Sequence, residues 1–390
     1  DGDEKSTKED KKIIDKGLEC IEKLNAKYGE NRFYYFHRER SFSKTQKKYM
    51  GWERKRGALV EFNALLLGEE TSFNIISGDI SNLQEKIKYI ITLDADTILP
   101  RDEGKRLIGT IAHPLNRALV NQEKNIVVEG YGIIQPRVLV DMESNNKSTF
   151  TRIFAGSGGI DPYSTAVSDI YQDLFGEGIF TGKGIYDLEV FHKVLGNRLP
   201  ENAILSHDLL ESSYIRAGLA TDINLVDGYP EKYSSYIMRN HRWTRGDWQL
   251  IKWLYGDYGR EINALSKWKI LDNMRRSLLP VFLLLSIFFS LLLPYKALYI
   301  GLGIVIINIL FPIINMFLEA IFYRRFKIEK LRLNGNLILG YKTYIYQGIL
   351  SFMFLPYEGM MLLDAIIRTL YRVYISQENL LEWTTAFDME

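Results

Sequence analysis

Cysteine is almost absent: Cys20 is the only one among 390 residues. That excludes a disulfide framework and a cysteine metal cluster, and it fits a reducing compartment. A surplus of either charge is also missing. The 49 lysines and arginines nearly match the 48 aspartates and glutamates, so no basic excess points to nucleic acid as a partner. No internal repeat of roughly 20–50 residues recurs. The first 16 residues are mostly charged, which argues against a secretory signal peptide there. Charge itself is scarce in one place. Residues 277–323 are almost uncharged and apolar, whereas 1–275 are polar and mixed, and this shift is the clearest domain boundary.

Against that background one stretch stands out, Tyr89-Ile90-Ile91-Thr92-Leu93-Asp94-Ala95-Asp96. An apolar, β-branched run reads as a buried strand, and it ends in two carboxylates one residue apart. Ligands of open α/β sheets gather at the carboxyl ends of strands. Two acids there can hold a divalent cation, and through it a diphosphate. They can equally be acids that solvate a strand end.

Residues 1–9 read as disordered. A helix is expected over about Lys11–Lys27, a strand over Arg32–His37, a polar connection over 38–50 and a helix over Trp52–Leu67. That second helix opens Glu53-Arg54-Lys55-Arg56-Gly57, a cluster that suits a diphosphate or simply a wet helix face. A helix is expected through Ile111, a strand over Ile126–Gln135 ending at Pro136, and a glycine-rich loop over 156–162. Gly176, Gly178, Gly182 and Gly184 suggest either backbone close to a ligand or ordinary tight turns. Ser206 is the expected cap of a helix that places Asp208 in its first turn, where an acid also suits the helix dipole. A short strand follows over Asp222–Val226. Then comes Arg239-Asn240-His241-Arg242-Trp243-Thr244-Arg245-Gly246-Asp247-Trp248. Arginines bind phosphates bidentately and tryptophan faces stack on sugars; salt bridges around buried tryptophans would use the same residues.

Leu278–Leu293 and Leu298–Phe317 each approach the roughly 20 residues that span a bilayer, and Pro294–Ala297 joins them. The expected arrangement is a transmembrane hairpin, with two buried core helices as the other reading. Basic residues on both flanks (Lys267, Lys269, Arg275, Arg276; Arg324, Arg325, Lys327, Lys330) place the polar domain in the cytoplasm. Residues 344–375 contain Gln347, Glu358 and Asp364 and read as interfacial amphipathic helices, or as a third span.

A strand ending in Asp-x-Asp, a later Asp opening a helix, an Arg-x-x-Arg-Trp element and membrane helices follow in this order. The order resembles processive membrane glycosyltransferases of the GT-A type, with Arg239 where those carry Gln. Longer stretches resemble the glycosyltransferase domain of cyclic β-1,2-glucan synthases (glycosyltransferase family 84): 51–57, 92–102, 112–117, 156–163, 167–186, 206–211, 241–249 and Leu380-Leu381-Glu382-Trp383. The resemblance implies an α/β, GT-A-like (Rossmann-like) domain over 1–275, truncated at its first strands. A transmembrane hairpin over 276–323 and interfacial helices over 324–390 would follow, in a multi-pass protein of the inner membrane.

It also implies transfer of glucose from UDP-glucose, with inversion, to a growing β-1,2-glucan chain. Asp94 and Asp96 would bind Mg²⁺ or Mn²⁺, and Asp208 would be the general base. Lys55, Arg239 and Arg242 would face the diphosphate. Trp243 and the turn of Gly182, Lys183 and Gly184 would border the acceptor sugar. Further partners would be membrane lipid and the cyclisation and phosphorylase-like region of a longer polypeptide. Other β-glycan synthesis, an inactive glycan-holding scaffold, and a glycoside hydrolase using Asp94 and Asp208 are the competing readings.

Overall fold

A computed structural model describes residues 2–84, 86–155, 169–325 and 330–383, without the side chains of 312, 315–317 and 319–342. The expected loop 156–162 lies outside them. The amino-terminal end is ordered where disorder was expected. Gly2 pairs with Tyr49, and helix α1 (Lys8–Tyr28) starts at a capping box between Thr7 and Asp10.

The strand expected over Arg32–His37 shrinks to β1 (Phe36–Arg38), which pairs with β2 (Phe73–Ile76). The cause is local. The Asn25 side chain of α1 accepts the backbone N–H groups of Arg32 and Phe33 and donates to the Phe33 carbonyl, so that backbone is already satisfied. Residues 38–50 form not a plain connection but a hairpin, Ser41–Ser43 with Lys48–Met50.

The main sheet uses β3 (Tyr89–Thr92), β4 (Ile133–Val140), β5 (Gly184–Asp187) and β6 (Ala217–Asp227), in the order β6-β4-β5-β3. β6 and β4 are parallel, and β5 runs against both β4 and β3. Hence the carboxyl ends of β3, β4 and β6 and the amino end of β5 meet along one edge. Alternation along the strands sorts side chains to two faces. Ile134, Ile185, Ala220 and Ile223 pack on Leu107 and Ile111 of helix α2 (Glu103–Ala112). Ile133 and Tyr186 join the larger core on the other face, with Phe191, Leu210, Trp248 and Trp253.

The strand expected over Ile126–Gln135 is broken at Gly130 (φ +67°) into Ile126–Glu129 and β4. An added Cβ at Gly130 would lie 2.0 Å from the Arg117 carbonyl oxygen, which fixes glycine there. Pro136 sits inside β4, not at its end. β5 pairs only as far as Ile134, and the partner register in β6 jumps from Ala220 to Asn224 beyond it. The proline thus occupies a bulged, one-sided stretch where no amide proton is needed. The strand expected over Asp222–Val226 extends back to Ala217 as β6.

Helix α3 (Asp208–Ile215) begins beside Gly182, near the amino end of β5. Its N-cap is His207 rather than Ser206, because the Ser206 side chain is packed against Gly246 of helix α4 (Tyr233–Gln249). Beyond α4 lie helices α5 (Ala264–Leu292), α6 (Tyr295–Arg325) and α7 (Lys330–Tyr371). Among the described residues two segments are long and apolar enough to cross a membrane, Ala264–Leu292 and Thr343–Ser376; Tyr295–Phe311 is a shorter apolar stretch. Phe282, Phe288, Phe289 and Leu292 are more than half exposed, as suits helices solvated by lipid. The segment 344–375 is helical throughout, α7 continuing into a π-helical turn over Arg372–Ser376, and its length and apolar character match the third-span reading. Two of its polar residues have partners on the polar domain: Gln347 donates to the Ile153 carbonyl, and Asp364 accepts from His241 of α4.

Candidate active site

The meeting of strand ends brings together charges far apart in sequence. Lys55, in the first turn of the helix Arg54–Leu66, places Nζ 2.5 Å from Asp94 Oδ1 and 2.9 Å from the Gly182 carbonyl oxygen. Lys183, just before β5, lies 3.2 Å from Asp94 Oδ2 and pairs with Asp227 at the end of β6. Asp227 also accepts from Thr97 Oγ1 at 2.7 Å. The chain after Asp96 is pinned across the sheet edge by the Ile98–Val226 bridge. Asp96 itself is exposed and faces Gly228.

Asp208 closes the other side. A Cβ on Gly182 would stand 2.8 Å from Asp208 Oδ1 and 3.2 Å from Oδ2. Gly182 also has φ +85°, so glycine is required both for the turn and for the approach of the carboxylate. Gly176, by contrast, ends a helix in the left-handed conformation, and the Gly178 amide bonds to Ala217. Of the two expected glycine pairs, only the second borders this site.

Burial would raise the Asp94 carboxyl, but Lys55 and Lys183 outweigh it and hold Asp94 below the usual range. Asp208 shows the reverse. Burial pushes its pKa up, His207 opposes this, and Glu211 adds to it. His207 is buried, with Nδ1 2.8 Å from Glu211 Oε1 and 3.5 Å from Asp208 Oδ1. The two carboxylates outweigh the burial of His207 and raise its pKa.

The Arg-x-x-Arg-Trp residues lie one turn apart on α4. Arg239 stacks over Trp243 at 4.8 Å and over Tyr229 at 5.3 Å. Arg242 is close enough to Asp94 to be influenced by its charge, while burial and Arg239 lower its pKa. Asp94, Lys55, Gly182, Lys183, Asp208 and Arg242 therefore form one neighbourhood. Trp243 touches it through Arg239. Reading the sequence did not single out Asp227, Glu211 or Arg54. Asp227 carries the same signal as Asp94, an acid ending an apolar strand.

Asp94 and Asp96 offer carboxylate oxygens, the donor type for Mg²⁺ or Mn²⁺. The donor set fits such an ion, although both Asp94 oxygens here contact lysine ammonium groups. A cavity of about 410 Å³ adjoins them, lined by Lys55, Leu59, Phe62, Ile91, Thr92 and Asp94, within the size range of small-molecule sites.

No family model matches the chain. It is 39% identical over 388 residues to the cyclic beta-(1,2)-glucan synthase NdvB of Rhizobium meliloti (strain 1021), an alignment that covers 98% of this chain and 14% of that protein. Identity at this level along nearly the whole chain makes it a relative of the cyclic β-(1,2)-glucan synthases, corresponding to one segment of such a protein.

Proposed function

We propose that the chain is the sugar-transferring segment of a β-glucan synthase. It would move glucose from UDP-glucose, with inversion, onto the end of a growing β-1,2-linked chain. One observation carries this reading: Lys55 bonds both Asp94 and the carbonyl of Gly182, the residue against which the Asp208 carboxylate is packed. A strand-end acid and a half-buried carboxylate of raised pKa thereby share one small site.

In the step proposed, an acceptor hydroxyl oxygen bonds to the anomeric carbon as the bond from that carbon to the diphosphate oxygen breaks. Asp208 accepts the hydroxyl proton; its raised pKa suits a base. Lys55 and Arg242 face the charge that develops on departing UDP. Mg²⁺ or Mn²⁺, held by Asp94 and Asp96, would supply further neutralisation of the diphosphate. The cavity beside β3 would take the nucleoside, with Leu59 and Phe62 against its flat faces.

The membrane-length helices support a location at a membrane, and the basic flanks favour a cytoplasmic polar domain. The lysine pair on Asp94 favours a second reading for the donor site, in which cationic side chains alone hold the diphosphate. Incorporation of labelled glucose from UDP-glucose tests the proposal. Transfer that is lost in Asp208→Asn with UDP affinity retained is the expected result; the same transfer in that variant would refute the role of Asp208.

A further inference from the structure

We infer that Leu380–Trp383, the segment after the last helix, is a positioning strap that aligns Arg54 and Arg242 as a guanidinium pair for the donor diphosphate. The inference rests on the donor-site reading above and adds residues to it. Arg242, Arg245 and Gln249 follow one another at spacings of three and four on α4, so they share a face. Each holds one residue of the strap. The Arg242 guanidinium lies 5.0 Å from the Trp383 ring centre, Arg245 pairs with Glu382 at 3.2 Å, and Gln249 Nε2 donates to the Leu380 carbonyl at 2.8 Å. The strap therefore runs antiparallel to the motif helix in matched register.

The same ring reaches a second cation. Arg54 lies 5.3 Å from the Trp383 ring centre. It opens the helix that carries Lys55, with Glu53 and Arg54 both in left-handed backbone (φ +49° and +51°). Such strained conformations cluster where a side chain must be aimed. Two guanidinium groups repel each other, and contact with one aromatic ring is a way to hold both near it. A diphosphate offers the complementary charge. Among the described residues no carboxylate lies within ion-pair distance of Arg242.

The strap is anchored independently of the ring. Leu381 is buried, Glu382 also pairs with Arg372 at 2.6 Å, and the Asn379 amide bonds to the Thr45 carbonyl. Trp383 itself is 41% exposed, more than its packing as a core residue would explain.

The test is calorimetric titration of UDP and of uridine, each with Mg²⁺, into the detergent-solubilised chain and into Trp383→Ala, Trp383→Phe and Arg54→Gln, with thermal unfolding as a fold control. For Trp383→Ala and Arg54→Gln, UDP affinity should fall by about tenfold or more while uridine affinity stays. Trp383→Phe should retain most of it. Unchanged UDP affinity in Trp383→Ala would overturn the strap alone, as would an equal loss of uridine and UDP. An unsubstituted chain that binds neither ligand would overturn the donor-site reading, and the strap with it.

Discussion

Asp208 and Asp94 are both carboxylates, and their surroundings drive their pKa values apart. Asp94 is held ionised by two ammonium groups, whereas Asp208 is raised by burial and Glu211. A base works only when deprotonated. As pH falls through a raised pKa, Asp208 takes up a proton and can no longer accept one, so the acid limb of kcat should lie above the ordinary carboxylate range. A pH–rate profile whose acid limb lies at or below that range would contradict this. Asp208→Asn should lower kcat by roughly 10²–10⁴-fold with little change in UDP affinity, because the proposed role of the residue lies in the chemical step. Lys183 has a different task, since it sits between Asp94 and the buried Asp227. Lys183→Met leaves Asp227 without its cation and should cost about 3 kcal/mol of stability, read as a lower unfolding temperature in detergent.

At the scale of elements, the site follows from topology. Because β5 is reversed, Lys183 precedes the strand and still meets Asp94, which follows β3, and Asp227, which ends β6. Asp94 was legible in the sequence because a β-branched run stops abruptly at it. Asp208 was legible because an apolar helical pattern starts beside it. Asp227 was not, since its meaning depends on which strand lies next to which. Arg54 was hidden inside a basic run, where only the backbone shows that it turns toward Trp383 rather than solvent. The sequence left 344–375 open between interfacial helices and a third span because Gln347 and Asp364 break its apolar pattern, and both are partnered by the polar domain. Gly57 belongs to this scale too. An added Cβ would lie 2.0 Å from the Trp52 carbonyl oxygen. Gly57→Ala should therefore displace the turn that carries Arg54 and Lys55 and weaken UDP binding more than uridine binding, as titration would show.

At the scale of the whole molecule, the polar domain and the apolar helices are joined through α4. One face of α4 carries Arg239 and Arg242 toward the site, and His241 bonds Asp364 of α7 at 2.9 Å. The motif helix is thus fixed to a membrane-length helix, which suits an enzyme that works at a lipid surface. For the proposed cytoplasmic orientation of the polar domain, protease added from the cytoplasmic side should cleave within residues 1–270 in sealed vesicles; protection there would reverse that orientation.

The central claim is that the converging strand ends hold a nucleoside diphosphate. Calorimetric titration of UDP into the solubilised chain, first with Mg²⁺ and then with EDTA, tests it most directly. Binding with Mg²⁺ that weakens markedly in EDTA is the expected result. Absence of binding in both conditions would contradict it.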